Sequence, residues 1–180
     1  MTSWPDEWAP LSNEVSTKLS KLKMIIFDVD GVFTDGTILR DELGNEQRRF
    51  SVLDGHGVSR LRDLGILVGV VSREPSEITR SRMEKLKMDE IHVGSKDKSI
   101  TLKEILARRK LDQSVVAFMG DDIPDLAAFS QVGIKLAPAN AQPQIRKKAD
   151  WISKSKGGNG AVRETCEVII HSIESGRQGD

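Results

Sequence analysis

Carboxylates, a serine and a lysine stand in four places of this sequence, each after an apolar run or at a predicted helix start. Asp28 and Asp30 follow the first apolar run, and Ser72 follows the second. Lys98 begins a helical pattern, and residues 120–125 (Gly-Asp-Asp-Ile-Pro-Asp) follow a later apolar run. One Asp- and Gly-rich segment alone is more often a surface turn. The four together indicate a site for a phosphate group and a metal ion.

The chemistry that suits this set is the hydrolysis of a phosphate monoester. Such esters react very slowly in water, and a carboxylate that attacks a phosphate dianion meets like-charge repulsion. A divalent cation held by Asp28 and Asp121 would cancel much of that repulsion, and oxygen ligands suit Mg²⁺. Lys98 and the Ser72 hydroxyl would hold the phosphate oxygens. Asp30 would protonate the departing oxygen and then activate the water that breaks the covalent intermediate.

The elements that must bring these residues together can be predicted from hydrophobic patterns. Apolar runs at residues 24–27, 66–71 and 115–119 predict strands that are buried on both faces. Amphipathic patterns predict helices near residues 14–21, over residues 58–64, after Pro75, from Lys98 and over residues 162–173. This alternation predicts an α/β fold, a Rossmann-like parallel sheet with helices on both faces. Because ligands bind at the carboxyl edge of such sheets, the polar residues above should meet there.

Residues 36–50 interrupt the alternation of strands and helices. Extended stretches at 37–39 and 46–50 surround the turn-rich residues 41–45, which predicts a β-hairpin flap. No insertion is long enough for a cap domain. We predict one domain over residues 23–175, preceded by an arm and short helix over residues 1–22 and followed by a tail over residues 176–180.

Composition excludes several classes of function. The formal net charge is +0, so no global field attracts nucleic acid, and no apolar run approaches the length of about 20 residues that spans a membrane. The single cysteine, Cys166, excludes an intramolecular disulfide and indicates a reducing compartment. The N-terminus lacks the apolar core of a signal peptide. We therefore expect a cytoplasmic protein with no nucleic-acid or membrane partner.

Taken in order along the chain, these motifs resemble those of the haloacid dehalogenase (HAD) superfamily of phosphotransferases. The resemblance rests on residues 28–30 (Asp-Val-Asp), Ser72, Lys98 and residues 120–125. It implies that Asp28 is the nucleophile and Asp30 the general acid and base.

The same resemblance implies a Mg²⁺ site. The ligands would be the carboxylates of Asp28 and Asp121 and the backbone carbonyl of Asp30. Asp122 and Asp125 would not bind the ion directly. They would contact its ligands or reach the ion through water.

A closer resemblance, over residues 21–173, is to the 3-deoxy-D-manno-octulosonate 8-phosphate phosphatase family. It rests on residues 28–36, residues 50–57 (Phe-Ser-Val-Leu-Asp-Gly-His-Gly) and residues 157–164 (Gly-Gly-Asn-Gly-Ala-Val-Arg-Glu). This family lacks a cap domain and forms tetramers in which the flaps build a central barrel. A neighbour's Gly-Gly segment roofs each active site. The resemblance therefore implies a homotetramer, with Arg163 as a substrate contact in a neighbouring subunit's site.

Two departures from that family concern the substrate, a small sugar acid phosphate. Octulosonate phosphatases usually carry Arg at the position of Leu53 and Thr-Gly-Arg at residues 72–74, which here are Ser-Arg-Glu. A sister group acts on 2-keto-3-deoxy-nononate 9-phosphate, and its marker Glu and Lys match Glu74 and Lys85. Lys85 also fits an ordinary solvated helix face. The two markers favour the nine-carbon substrate slightly over the eight-carbon one.

Three other functions remain open at this point. A receiver domain also uses an Asp, a Ser or Thr and a Lys, but the pairing of Asp28 with Asp30 and the flap argue against it. A non-catalytic assembly module, like the C-terminal domain of animal sialate cytidylyltransferases, would have lost its carboxylates, which here are retained. A phosphomutase or a broad-specificity phosphatase fits a site without a cap.

We also predict that Asp54 is the N-cap of the helix that reaches Leu64, and that His56 lies in a loop near the flap.

Overall fold

The sheet positions the site, and it is parallel throughout. A computed structural model describes residues 8–177, so residues 1–7 of the predicted arm and 178–180 of the tail lie outside it. The strands are β1 (Met24–Phe27), β2 (Leu39–Arg40), β3 (Glu46–Gln47), β4 (Leu67–Ser72), β5 (Glu90–Val93), β6 (Val116–Met119), β7 (Ile134–Ala137) and β8 (Trp151–Ile152). Six of them form one sheet in the order β5-β4-β1-β6-β7-β8, and every pairing in it is parallel.

Helices cover both faces of this sheet. They are α1 (Asn13–Ser20), α2 (Val52–Asp63), α3 (Glu77–Lys85), α4 (Lys98–Arg109), α5 (Leu126–Phe129), α6 (Pro143–Arg146) and α7 (Ala161–Arg177). Side chains of β1 alternate between two hydrophobic clusters: Ile25 and Phe27 pack with α1, α2 and α7, whereas Met24 and Ile26 pack with α4, α5 and α6. This confirms the predicted three-layer α/β fold. No helix within residues 8–177 is both long and apolar enough to cross a membrane.

The three predicted strands are present, and three further strands lie outside the predicted apolar runs. β5 and β7 are four residues long and carry polar side chains at Glu90, His92 and Lys135, and β8 has only two residues. Short segments with a charged residue on one face do not form the continuous apolar run that indicates a buried strand. The division of the chain into arm, domain and tail stays a prediction.

Helix starts differ from the prediction at α2 and α3. The N-cap of α2 is Ser51, whose side chain accepts from the N–H of Leu53. The prediction that Asp54 caps this helix is therefore wrong, as is the loop position predicted for His56, which lies within α2. Pro75 does not open α3 either, because Ser76 is the N-cap and accepts from the N–H of Thr79.

The flap is present but shorter than predicted. Only two residues of each strand pair, with Leu39 opposite Gln47 and Arg40 opposite Glu46. Asp41 closes the turn, since its Oδ1 accepts hydrogen bonds from the N–H groups of Leu43 at 3.0 Å and Asn45 at 2.8 Å. At the tip, Leu43 is 87% exposed. The flap therefore presents apolar side chains to the outside of a single chain.

Asp54 is buried in the first turn of α2 and holds the start of α7. Its Oδ1 accepts a hydrogen bond of 2.9 Å from the backbone N–H of Arg163. Its Oδ2 has no hydrogen-bond partner within the described residues. Burial raises the pKa of Asp54 to about 6, although the hydrogen bond from Arg163 and the nearby guanidinium groups of Arg163 and Arg82 oppose the shift. The folded chain therefore binds this proton more tightly than the unfolded chain does.

We expect Asp54→Asn to flatten the pH dependence of stability. Between about pH 4 and pH 6 the native protein binds more protons at Asp54 than the unfolded chain does, so stability falls as pH rises through this window. Asn cannot ionise, so the variant should gain up to about 3 kcal/mol relative to the parent between pH 4 and pH 7. Urea unfolding at several pH values measures the difference, and parallel curves for the two proteins would contradict the prediction.

Candidate active site

The carboxyl ends of β1, β4 and β6 open into one cavity of about 480 Å³. Asp28 directly follows β1, Ser72 ends β4, and Asp121 lies two residues after β6. Every predicted site residue except Lys85 and Arg163 lines this cavity, namely Asp28, Asp30, Ser72, Glu74, Lys98, Asp121, Asp122 and Asp125. The parallel sheet thus brings together residues that are up to 97 positions apart in sequence (125 minus 28).

Lys98 is the cation at the floor of the cavity. Its side chain is only 3% exposed, and its Nζ lies 2.8 Å from Oδ1 of Asp28 and 2.5 Å from Oδ1 of Asp125. Asp97 caps α4 by accepting from the N–H groups of Ser99 and Ile100, which fixes the point where Lys98 leaves the helix. Burial alone would lower the pKa of Lys98, but the charges of Asp28 and Asp125 raise it overall. Lys98 is therefore charged, and it could meet a phosphate oxygen beside Asp28.

Asp125 holds the loop that carries Asp121. It ends a short 3₁₀ turn, Ile123–Asp125, and its side chain is only 1% exposed. Its Oδ2 accepts hydrogen bonds from the N–H groups of Asp121 at 2.9 Å and Asp122 at 3.2 Å. Both oxygens of Asp125 are thus used by the protein, one by Lys98 and the other by this backbone. That matches a supporting role beside a metal ion better than direct ligation.

The carboxylates of the cavity could hold a cation. Oxygens of Asp28, Asp121 and Asp125 all lie within 4.8 Å of one another. Oδ1 of Asp121 is buried and has no hydrogen-bond partner in the described chain. Burial, and after it the charge of Asp125, raises the pKa of Asp28 to about 7. Burial and the charges of Asp28, Asp125 and Asp122 raise the pKa of Asp121 to about 8. Excess negative charge and a buried oxygen without a donor fit a hard divalent cation.

Asp30 faces a flap residue that the sequence prediction missed. The side chain of Arg48 is fully buried, and its Nη1 forms an ion pair with Oδ1 of Asp30. A signal did exist, because alternation in a strand puts residues 46, 48 and 50 on one face, and Phe50 packs against the core. The structure therefore gives the predicted acid and base a cationic partner from 18 residues further along the chain.

Known proteins with this arrangement identify the family. A model described as haloacid dehalogenase-like hydrolase matches residues 67–164. The 3-deoxy-D-manno-octulosonate 8-phosphate phosphatase KdsC of Yersinia pestis is 33% identical over 163 residues, which cover 91% of this chain and 87% of that protein. Its 1.95 Å crystal structure superposes with a TM-score of 0.89 and covers 92% of this chain and 89% of that one.

A second solved structure is that of the 3-deoxy-D-manno-octulosonate 8-phosphate phosphatase from Moraxella catarrhalis, in complex with magnesium ion, phosphate ion and KDO. It has a TM-score of 0.87 and 32% identity, and it covers 93% of this chain and 98% of that one. This chain belongs to the haloacid dehalogenase-like hydrolases. Within them it is a phosphatase of the capless octulosonate phosphatase family, as the resemblance of the motifs predicted.

Two predicted substrate contacts of this HAD phosphatase lie away from the cavity of their own chain. Lys85 is exposed at the last position of α3. Arg163 lies in the first turn of α7, where its Nε is 2.8 Å from Oε1 of Glu167. Glu74, in contrast, lines the cavity, as does Arg73, which the sequence prediction did not single out. The marker pair Glu74 and Lys85 is thus separated in a single chain.

The Gly-Gly segment, Gly157 and Gly158, packs on the loop that carries Asp30 in its own chain. The resemblance did not imply this contact within one chain. The N–H of Gly158 donates to the carbonyl of Val32 at 3.0 Å. Asn140 joins the two loops, because its Oδ1 accepts from the N–H of Gly157 at 2.7 Å and its Nδ2 donates to the carbonyl of Gly31 at 3.4 Å. A Cβ on Gly157 would lie 1.8 Å from the carbonyl oxygen of Gly31, so only glycine allows this approach.

We therefore expect Gly157→Ala to destabilise the phosphatase by about 3 kcal/mol or more, since the new methyl group overlaps backbone that cannot move without shifting Asp30. Gly44→Ala is the matched control, because Gly44 has a φ of +83° but nothing within 4 Å of its Cβ position. Backbone strain alone should lower its stability by about 1 kcal/mol. Urea unfolding compares the two, and an equal loss in both variants would contradict the predicted overlap.

Proposed function

We propose that this chain hydrolyses the phosphate monoester of a 2-keto-3-deoxy sugar acid through an aspartyl-phosphate intermediate on Asp28. The observation that carries the proposal is the contact of a buried Lys98 with Asp28, in a cavity that also holds Asp30 and Asp121. Relatives named as 3-deoxy-D-manno-octulosonate 8-phosphate phosphatases, at 31–33% identity over 91% of the chain, support the class of substrate.

In the first step a carboxylate oxygen of Asp28 attacks phosphorus, and the bond from phosphorus to the sugar oxygen breaks. Lys98 and the hydroxyl of Ser72 hold phosphoryl oxygens as charge spreads onto them. Asp30 gives its proton to the departing sugar oxygen, so that the sugar leaves as an alcohol. In the second step a water attacks phosphorus of the aspartyl phosphate, and Asp30 takes the proton of that water. Phosphate leaves and Asp28 is restored as a carboxylate.

Mg²⁺ is the proposed cofactor. The carboxylates of Asp28 and Asp121 and the backbone carbonyl of Asp30 would hold it, and Asp122 and Asp125 would support those ligands. The unpartnered Oδ1 of Asp121 and the raised pKa values of Asp28 and Asp121 support this assignment. When bound, the ion offsets the repulsion between the attacking carboxylate and the phosphate.

The sugar acid is proposed to have eight or nine carbons. The names of the relatives favour 3-deoxy-D-manno-octulosonate 8-phosphate. Glu74 in the cavity is the marker of the nine-carbon group and supports 2-keto-3-deoxy-nononate 9-phosphate. Because Lys85 lies outside the cavity of its own chain, it would contact substrate only after a rearrangement or in an assembly.

An assembly of four chains is the proposed oligomer. The flap supports it, because Ile38, Leu39 and Leu43 are exposed apolar side chains that a monomer would leave in water. In such a tetramer Arg163 would contact substrate in a neighbouring subunit's site. The cytoplasmic location stays a prediction.

A broad-specificity phosphatase of small esters is the second candidate function. The open cavity at the carboxyl edge of the sheet and the absence of a cap in the described chain favour it. The non-catalytic assembly role is disfavoured, because Asp28, Asp30, Lys98 and Asp121 are all retained and lie in one cavity.

We expect the purified protein to release phosphate from octulosonate 8-phosphate or nononate 9-phosphate when Mg²⁺ is present. Asp28→Asn should lower turnover by about 10³-fold or more, because the amide is a poor nucleophile and the covalent route is lost. Asp63→Asn, which removes an exposed carboxylate at the end of α2, is the control and should keep the parent's rate. No release from either sugar or from p-nitrophenyl phosphate would contradict the enzyme proposal and favour an assembly role.

We also expect Mg²⁺ to raise the thermal stability of the protein. An ion that binds only the native state adds about 2.7 kcal/mol at 100 times its Kd, which for a chain of this size is a rise in Tm of about 5–10 °C. Asp121→Asn should lose most of this rise, while Asp63→Asn keeps it. Differential scanning calorimetry with and without Mg²⁺ measures both. Equal shifts in the two variants would exclude Asp121 as a ligand.

A further inference from the structure

Arg48 stands out among the groups that the proposed mechanism leaves unused. It follows β3, on the segment that returns from the flap to α2, and its side chain is 0% exposed. Its Nη1 forms an ion pair with Oδ1 of Asp30, and Asp30 is 28% exposed and lines the catalytic cavity. The carboxylate of Asp30 therefore lies between the cavity on one side and a buried guanidinium on the other.

The other donors of Arg48 are poorly used. Its Nε and Nη2 are buried and have no hydrogen-bond partner among residues 8–177. The nearest further carboxylate oxygen, Oε2 of Glu46, is 3.9 Å from Nη2, and Oε1 of Glu46 is bound by Arg40 at 2.5 Å. A buried arginine kept for stability alone would be expected to satisfy its donors, because each unpaired one is unfavourable. Within residues 8–177, Asp30 is thus the one close partner of Arg48, and it explains the burial of this cation.

The next residue, Arg49, joins the same segment to the loop that carries Asp30. Nη2 of Arg49 lies 3.2 Å from Oδ2 of Asp35 and 3.2 Å from Oδ1 of Asn159. Two consecutive arginines therefore hold the segment after β3 against the loop that carries Asp30. They differ in burial, since the side chain of Arg49 is 66% exposed. Only Arg48 reaches the predicted acid and base.

We propose that Arg48 is a positioning residue that holds the carboxylate of Asp30 at the edge of the cavity, where a leaving-group oxygen receives its proton. This inference rests on the proposed function, because it gives Asp30 its role as acid and base. An unrestrained Asp side chain samples several rotamers, and most of them point away from the reacting oxygen. A fixed guanidinium on its far side selects one orientation. Through Arg48 the flap segment thereby affects the chemistry of the cavity, although Arg48 does not line the cavity itself.

The leaving group separates this role from a purely structural one. A sugar hydroxyl is a poor leaving group unless it is protonated, whereas p-nitrophenolate leaves without a proton. The value of kcat/KM reports the steps up to formation of the aspartyl phosphate, so it isolates departure of the leaving group from the later hydrolysis. A defect in proton donation must therefore lower kcat/KM for the sugar ester far more than for the aryl ester.

The experiment compares Arg48→Met, Arg48→Lys and Arg49→Met with the parent protein. Octulosonate 8-phosphate and p-nitrophenyl phosphate are the two substrates, with Mg²⁺ present, and circular dichroism checks the fold. Arg48→Met should lower kcat/KM for the sugar ester by about 10–100-fold, less than the roughly 10²–10⁴-fold that a general acid itself contributes, and by less than about 3-fold for the aryl ester. Arg48→Lys keeps a cation, so it should recover part of the loss on the sugar ester. Arg49→Met should match the parent on both.

Each other outcome overturns the inference. Equal losses of Arg48→Met on both esters would assign Arg48 to folding or to phosphate binding. The same leaving-group dependence in Arg49→Met would assign the effect to flap docking in general. Should Arg48→Met fail to fold, Arg48→Lys decides, since a loss of kcat/KM of the same size on both esters would remove the positioning role. If the parent itself hydrolyses neither ester, the proposed function fails and this inference fails with it.

Discussion

The contact of Lys98 with Asp28 and Asp125 is the interaction on which the rest of the site depends. The carboxyl edge of a parallel sheet brings several carboxylates close together, and their mutual repulsion opposes folding. A single buried ammonium, 2.8 Å from one carboxylate and 2.5 Å from another, offsets part of it. Asp97 caps the helix that begins at Lys98, so the backbone fixes where this side chain starts, and burial and the two ion pairs fix the ammonium at its end.

The charge of Lys98 does not neutralise the three carboxylates of Asp28, Asp121 and Asp125. The negative charge that remains indicates a function. Asp121 keeps a buried oxygen to which no residue of the described chain donates, and the pKa values of both Asp28 and Asp121 are raised. A protein selected for stability alone would remove such charges, whereas functional sites retain groups that are unfavourable until a ligand arrives. The fold therefore tolerates a site whose negative charge exceeds its buried positive charge, which suits a divalent cation.

The sequence predicted well those features that follow from local pattern and sheet geometry. The sequence alone predicted that three residues meet, namely Asp28, Ser72 and Asp121, because the carboxyl ends of parallel strands lie at one edge of the sheet whatever the connections between them. It predicted poorly the features that depend on distant partners. Asp54 has a suitable residue type for an N-cap, yet Ser51 takes that place and Asp54 turns inward to the N–H of Arg163, 109 residues away. No local pattern contains that partner.

A similar contrast between local and distant partners exists within the site of this HAD phosphatase. Groups proposed to act on phosphorus lie on strand ends and a helix start, which are the rigid parts of the fold. The loop that carries Asp30 is instead held from outside the sheet. Asn140 binds the carbonyl of Gly31, Gly158 binds that of Val32, and Arg48 binds Asp30 itself. A family without a cap has no second domain to orient the proton donor. We propose that contacts from the flap and from the Gly-Gly segment supply that constraint, so that changes in these two loops would alter the leaving-group step while the phosphate site stays the same.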